Sequence, residues 1–148
     1  MTSVLNIVAI ASIGLMIGTE FAVWAFINPI LWKLEEPARA QTVQLFAKRL
    51  GEAMPFWYVL NLLLLVAEAV GLRHQPGALL IGSSVGIWVA VIVLTLLFLV
   101  PINNRLARQE SIQSLDEAHR EHKRWDRLHR VRVVALAAAM VLLLLAVH

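Results

Sequence analysis

The chain has 148 residues, 59% of them hydrophobic, and its mean hydropathy is +0.73. Soluble domains contain roughly 45–50% apolar residues, so this composition indicates a single-domain integral membrane protein. The sequence contains no cysteine, which excludes disulfides, thiolate nucleophiles, thiolate-bound haem and iron–sulfur clusters. Its pI of about 10.0 comes from Lys and Arg in connecting segments, which indicates membrane topology rather than a nucleic-acid partner.

Four apolar segments predict four membrane-spanning helices. The first is Val4–Trp32, and we interpret it as a retained helix because no Lys or Arg precedes it and no cleavage pattern follows. The others cover about 55–72, 79–100 and 131–147, and charged connectors follow the first and third spans at 33–54 and 101–130. The predicted fold is all-α, an antiparallel transmembrane four-helix bundle with long cytoplasmic helical extensions. We expect the third helix to end at Pro101.

The distribution of positive residues predicts the orientation. The first connector and the stretch from Arg105 to Arg132 together hold 12 Lys or Arg residues and the turn at 73–77 holds one, so both connectors should face the cytoplasm. We therefore expect a protein of the bacterial inner membrane with both termini outside the cytoplasm. Small residues four apart predict close helix contacts inside the bundle. A homo-oligomer that forms through the same faces is a further hypothesis. These pairs are Gly14 with Gly18, Gly82 with Gly86, and Ala135 with Ala139.

The last helix is predicted to be the longest. Ser114 and Glu117 form a capping-box pattern that starts a helix near Leu115, and neither Pro nor Gly follows. Its 33 residues would extend about 50 Å, more than the ~30 Å apolar core of a bilayer. Its histidines His119, His122 and His129 share one face with Asp126, while most cations lie opposite. This face is either a partly buried structural surface or a stripe that closes over a pocket.

Polar residues on all four helices predict a pocket near the cytoplasmic end of the bundle. Ionisable groups inside a membrane are costly, so each of them requires a partner or a function. By helix rise, Asn28, Asn61, Asn103 and His129 lie within about two turns of one boundary, and Glu20 lies roughly 12 Å deeper. We expect Glu20 to pair with Arg132 or His129.

The sequence does not assign a cofactor, and we predict no set of metal ligands. Asp126 and His129, like Asp116 and His119, have only half of a di-iron helix motif. Two histidines seven residues apart on one helix cannot bind opposite sides of one haem iron. A haem with His129 as its single axial ligand is still a hypothesis. Three hypotheses therefore remain: a protein without any cofactor, a haem protein and a metal protein.

Several strings resemble the anthrone oxygenase-like family of small four-helix membrane proteins. They are Gly18–Pro29 (GTEFAVWAFINP), Met54-Pro55, Leu99–Ala107 (LVPINNRLA) and Trp125–Arg132 (WDRLHRVR). The resemblance implies the oxidation of anthrones to anthraquinones by O₂, as in fungal members, without a dedicated cofactor. The positions that it indicates are Glu20, Asn28, Pro55, Asn103, Trp125, His129 and Arg132.

The leading hypothesis is an oxidoreductase acting on an apolar phenol, anthrone or quinone-like substrate. Glu20 or His129 would act as the base, and Asn103 and Arg132 would stabilise the resulting anion. The residues predicted to bind a cofactor or substrate are Asn28, Trp24, Asn61, Trp125 and His122. The alternatives are a haem-, quinone- or lipid-binding protein, an accessory subunit without catalysis, and a proton or ion relay through Glu20. The expected partners are membrane lipid and a hydrophobic small molecule, without nucleic acid.

Overall fold

The computed structural model describes residues 2–108 and 114–148, which form four long helices. Helix α1 consists of Thr2–Ala22, a π-helical turn Val23–Ile27 and the short segment Asn28–Leu31. Helix α2 is Glu36–Gly71, and helix α4 is Leu115–Val147. Helix α3 consists of Ala78–Leu94, a second π-helical turn Thr95–Leu99 and the segment Val100–Arg108. Within the described ranges there is no strand, which confirms the predicted all-α fold.

The helices form an antiparallel ring in which each helix packs against its two neighbours. Helix α1 contacts α2 and α4, and α3 contacts the same two helices, so α1 and α3 lie diagonally across the bundle. A side-chain hydrogen bond joins each neighbouring pair: Ser12 to Asn61, Asn103 to Ala47, Ser84 to Ala139, and Arg132 to Glu20. The four-helix bundle follows directly from these contacts.

Two hydrophobic clusters form the core, and buried polar side chains separate them. The larger cluster is built around Trp88, Leu65 and Leu136, and the smaller one contains Val43 and Ile102. Between the two lies the polar layer, which we define as Glu20, Asn28, Asp126, His129 and Arg132. Because buried polar groups require partners, this layer is where the sequence departs from a simple apolar bundle.

The outer surface of the bundle is apolar. Leu15, Phe56 and Leu79 are 67%, 80% and 80% exposed, which is typical of side chains that face lipid. Each of the four helices is long and apolar enough to cross a membrane. The chain is therefore an integral multi-pass membrane protein.

Neither Pro55 nor Pro101 ends a helix, although the sequence predicted that Pro101 would. Pro55 lies inside α2, so the first connector and the second span form one continuous helix. Pro101 was expected to end the third helix, but α3 continues to Arg108. A proline ring clashes with the carbonyl four residues earlier, which for Pro101 belongs to Leu97, inside the widened π-helical turn. That turn lets α3 pass the proline.

The start of α4 agrees with the predicted cap. The Ser114 hydroxyl accepts a hydrogen bond from the Glu117 amide at 3.2 Å, and the helix begins at Leu115. Of the predicted face, His122, Asp126 and His129 are buried, whereas the His119 side chain is partly exposed. The predicted connector 101–130 is helical up to residue 108 and again from Leu115, and positions 109–113 lie outside the described residues.

The glycine pair on α3 does not pack inside the bundle. Gly82 and Gly86 are exposed, and a methyl group added at either would meet no other described residue within 4 Å. The expectation that this pair packs against another helix of the chain was wrong, because Ser84 and Trp88 form the inner face of α3. In the pair on α1, Gly14 packs toward Met140 of α4, but Gly18 is exposed with nothing within 4 Å. The predicted contact at Ala139 is present, since its carbonyl accepts from Ser84 at 2.8 Å. A homo-oligomer stays a prediction.

Candidate functional site

A cavity of about 250 Å³ lies beside the polar layer and is open between α2 and α3. All four helices contribute polar side chains to it: Glu20, Tyr58, Asn103 and Arg132. Its remaining walls are largely apolar and include Leu50, Met54, Val59, Ile92, Leu96 and Leu99. An apolar space with a few convergent polar groups is the usual form of a small-molecule site, and we call it the site cavity.

Glu20 is the centre of the polar layer and is only 1% exposed. Its Oε2 accepts a hydrogen bond from Arg132 Nη2 at 2.6 Å, and its Oε1 accepts one from the Tyr58 hydroxyl at 2.9 Å. His129 Nδ1 lies 3.2 Å from the same Oε2. Of the two predicted partners of Glu20, Arg132 is bonded to it. Because a guanidinium stays charged, the ionised carboxylate and Arg132 cancel each other's charge in the interior.

The contacts of His129 define its tautomer. Its Nε2 lies 3.0 Å from the backbone carbonyl of Glu20 and must carry a proton to donate there. Its Nδ1 lies 2.9 Å from Arg132 Nη2, which can only donate, so Nδ1 accepts and the ring is neutral. The ring also stacks on Trp125 at 4.7 Å. His129 therefore lies behind the site cavity, with both nitrogens engaged, and in this conformation it offers none to a haem iron.

Three buried side-chain atoms have no hydrogen-bond partner among the described residues: Thr95 Oγ1, His122 Nδ1 and Arg132 Nε. Thr95 and Arg132 both line the site cavity. The two orphaned atoms are themselves enclosed by protein, so other atoms of these residues form the cavity wall.

Close approach of α2 and α3 positions Asn103. Its Nδ2 donates to the Ala47 carbonyl at 2.9 Å, and the second N–H of the amide remains for a ligand. A methyl group added at Gly51 would lie 2.8 Å from that nitrogen, so only glycine leaves room for it. Pro55 lacks an amide hydrogen, and the Gly51 carbonyl therefore has no α-helical donor. Gly51, Pro55 and Asn103 all line the site cavity.

Gly51→Ala should therefore weaken ligand binding with little change in stability. The new methyl group displaces Asn103 from the Ala47 carbonyl, while alanine favours the helix by roughly 0.5–1 kcal/mol. We expect at least a ~10-fold weaker affinity for an aromatic ligand, equivalent to the loss of about one hydrogen bond, and an unfolding free energy within ~1 kcal/mol of the wild type. Gly82→Ala, where the added methyl group is free of described neighbours, is the control. Equal affinity in the two variants would show that the close approach of Gly51 to Asn103 does not affect ligand binding.

Two further predicted residues lie next to the site cavity. Asn28 Nδ2 donates to Asp126 Oδ1 at 2.7 Å, and Asn28, His122 and Trp125 line a small cavity of about 30 Å³. Trp125 and Asn103 border both cavities, so the small cavity is adjacent to the larger one. The His122 ring is stacked on Trp32 at 4.3 Å. Asn28 and His122 thus support the site from one side rather than line it.

Two predicted residues lie away from both cavities. Asn61 accepts from Ser12 at 2.6 Å and donates to the Met16 sulfur at 3.3 Å, beside the larger hydrophobic cluster. Trp24 contacts the edge of Phe21. The prediction that Asn61 lies at the level of Asn103 was wrong. The residue of α2 that reaches Glu20 is Tyr58, almost one turn earlier.

The sequence interpretation missed Tyr58, Gly51 and Thr95. Tyr58 carries a usable signal because it is the single tyrosine of the chain and stands in an apolar span. Gly51 could have been noticed as a glycine four residues before a helical proline. Thr95 has no such signal, since single threonines are ordinary in membrane helices.

Other places in the described chain offer less to a ligand. A cleft of about 570 Å³ lies between the start of α2 and the start of α4. Its charged groups pair with one another, since Arg39 contacts both Glu36 and His119. No group of three or more metal-ligating His, Asp or Glu side chains occurs in residues 2–108 and 114–148.

Comparison with known proteins gives a family match. The model of a family described as anthrone oxygenase matches residues 43–142. No curated protein and no solved structure matches the chain. The matched range contains Tyr58, Asn103 and Arg132, whereas Glu20 precedes it.

Proposed function

The chain belongs to the anthrone oxygenase family, and from this premise we propose that it is a membrane oxidoreductase using O₂ on an apolar phenol, anthrone or quinone-like substrate. The observation that carries the proposal is the buried Glu20–Arg132–His129 cluster at an otherwise largely apolar cavity. A buried ionised pair is a weak means of stabilising a fold, so its placement at a cavity favours a chemical role.

The site cavity suits a flat apolar ligand. It is open between α2 and α3 beside the exposed side chains of Val59 and Leu96, so a membrane-dissolved molecule can enter from the lipid. The indole of Trp125 supplies an aromatic wall against which a ring system can pack. Burial of the ligand's apolar surface would supply most of the binding free energy.

Glu20 is the proposed base. A carboxylate can accept about four hydrogen bonds, and Tyr58 and Arg132 occupy two of these positions, which leaves room for a substrate proton. The proton leaves a C–H or O–H that is conjugated with a carbonyl group. His129 Nδ1, 3.2 Å from Glu20 Oε2, can then take the proton from Glu20.

Arg132 balances the charge that this transfer creates. Before the transfer, its positive charge is cancelled by Glu20. Once Glu20 is protonated, the same charge faces the enolate or phenolate left on the substrate and stabilises it. The second N–H of Asn103 can donate to the same anion. The summed charge of Glu20, Arg132, His129 and the substrate is therefore the same before and after the proton transfer.

The redox step balances with O₂ as the only oxidant. The electron-rich carbanion forms a C–O bond with O₂, and the O–O bond then breaks with loss of water. Oxidation of one CH₂ group to C=O releases four electrons, which reduce one O₂, so one oxygen atom enters the product and the other leaves as water. The proton held by Glu20 or His129 supplies part of that water.

The proposal is tested with 1,8-dihydroxy-9-anthrone as the probe and protein purified in detergent. We expect O₂ uptake at least ~100-fold faster than spontaneous oxidation, the usual lower magnitude of acid–base catalysis, with one quinone formed per O₂. A rate equal to the protein-free rate for anthrone, phenol and quinol probes would contradict it. If a bound probe is not oxidised, the chain is instead a quinone- or lipid-binding protein, the alternative that the open apolar cavity supports.

A further inference from the structure

The proposed chemistry uses only the inner end of one polar face of helix α4. This histidine face consists of His119, His122, Asp126 and His129. Spacings of three or four residues make each of them the neighbour of the next along the helix. His122, Asp126 and His129 are buried. Because the burial of polar side chains is costly, a row of them over about two turns indicates a function for the whole face.

Three cavities lie one after another along this face. The first is the cleft of about 570 Å³ between the start of α2 and the start of α4, which His119 lines. The second is the small cavity of about 30 Å³, and the third is the site cavity. The side chains that border both the cleft and the small cavity are Val43, Leu106 and His122. Those that border both the small cavity and the site cavity are Leu50, Asn103 and Trp125. Consecutive cavities are therefore adjacent, from the cleft to the polar layer.

The two ends of this series face different surroundings. Glu36 and His119 line the cleft with partly exposed side chains and precede the apolar parts of their helices, so the cleft is accessible to water. In the predicted orientation it faces the cytoplasm. The site cavity instead opens between α2 and α3, beside the exposed apolar side chains of Val59 and Leu96. The polar layer therefore lies between a polar entrance and an apolar one.

The small cavity has the size and the lining that suit water. A buried water molecule requires about 10–15 Å³ of accessible volume and about two to four polar partners. The small cavity provides about 30 Å³. Its wall includes four polar side chains: Asn28, Asn103, His122 and Trp125. Pockets for drug-sized ligands measure roughly 300 Å³ or more, so this cavity admits water and small ions but no aromatic ligand.

We propose that the histidine face lines a water path between the cytoplasm and the polar layer. Water and protons reach Glu20 and His129 along this path, while apolar molecules enter the site cavity from the lipid. His122 is the positioning residue, because it borders both the cleft and the small cavity and its ring is stacked on Trp32 at 4.3 Å. The charged and titratable groups around it are Arg39, His119 and Asp126. The path does not depend on the proposed function, although in an oxidase it also carries away the water formed from O₂.

Labelling with Ag⁺ tests the path, because the chain has no cysteine and an introduced thiol has no background. Val23→Cys reports on the small cavity, since Val23 is 5% exposed and lines that cavity but neither of the others. Val91→Cys is the matched control, because Val91 is 4% exposed, belongs to the larger hydrophobic cluster and lines none of the three cavities. Ag⁺ is added to sealed vesicles in which the cytoplasmic side of the protein faces outward, and the mass of the intact protein gives the labelled fraction. We expect labelling at least ~10-fold faster at Val23→Cys, because moving an ion into an apolar cluster is costly.

Substitutions of His122 in the Val23→Cys variant test its role. His122→Phe keeps an aromatic ring against Trp32 but removes a polar partner of the water, so labelling should slow at least ~10-fold, equivalent to about one lost hydrogen bond. His122→Gln restores a polar group and should keep the rate. If Val23→Cys fails to fold, Ala47→Cys carries the same expectation, because Ala47 is also buried and also lines only the small cavity of the three.

Equal labelling rates at Val23→Cys and Val91→Cys overturn the inference, and so does a rate that His122→Phe leaves unchanged. No substrate is present in this experiment. The proposed function is therefore judged separately by O₂ uptake, and either proposal can fail while the other stands.

Discussion

Glu20→Gln is expected to reduce oxidation of 1,8-dihydroxy-9-anthrone by a factor of about 10²–10⁴, the usual contribution of a general base. The amide keeps the shape of the side chain and its single oxygen can still accept from Arg132, but it cannot take a proton. Because Arg132 then lacks its counter-charge, the variant also loses stability, and the rate must be expressed per folded molecule. O₂ uptake and quinone absorbance together measure the effect.

Glu20→Asp separates proton transfer from charge balance. It keeps the negative charge beside Arg132 but withdraws the carboxylate by about one bond, and a displacement of roughly 1 Å can lower a rate 10²-fold. Glu68→Gln is the control, because Glu68 is also a buried carboxylate of a spanning helix but does not line the site cavity. It should retain the wild-type rate. If Glu20→Gln oxidises the probe as fast as the control, Glu20 is not the base.

The sequence predicted the fold because that information is local. Each span is apolar over the length of a bilayer, and the start of α4 is set by the Ser114 cap, so neither depends on how helices pack. The partners of Glu20 were predictable for a similar reason. A carboxylate deep in an apolar helix must have a counter-charge, and Arg132 and His129 are positioned to supply contacts to it.

The composition of the site was less predictable, because it depends on helix phase. Trp24 was predicted to bind a cofactor or substrate, and it stands four residues from both Glu20 and Asn28, a spacing that shares one face only in a regular α-helix. The π-helical turn Val23–Ile27 contains an extra residue per hydrogen-bonded turn and rotates the later part of α1 relative to the earlier part. Trp24 therefore lies beside Phe21, away from the cavity.

The relative offset of two helices is also absent from the sequence. The predicted depth of Asn61 was counted from Pro55 as though the span began there, but α2 is continuous from Glu36. The hydrogen bond from Asn103 to the Ala47 carbonyl joins α2 and α3 at the level of the connector instead. Tyr58 reaches Glu20 as a result, and Asn61 bonds to Ser12 instead. Such offsets come from tertiary packing, which no local pattern reports.

Arg132→Met is expected to have the largest effect on stability, lowering the free energy of unfolding by about 3–5 kcal/mol. Methionine fills much of the same volume, so little packing is lost. The loss arises because Glu20 remains buried with no cation bonded to it, and because His129 Nδ1 loses its donor. Thermal unfolding in detergent, or titration with a denaturing detergent, measures the change.

The double variant Glu20→Gln/Arg132→Met distinguishes charge from packing. Removing both charges leaves no uncompensated ion, so the double variant should be more stable than Arg132→Met alone, although it should be inactive. Arg127→Met, on the exposed face of the same helix, is the control and should change stability by less than ~1 kcal/mol. If the double variant is instead less stable than the wild type by the sum of the two single effects, Arg132 acts through packing and the proposed charge balance at the cavity is wrong.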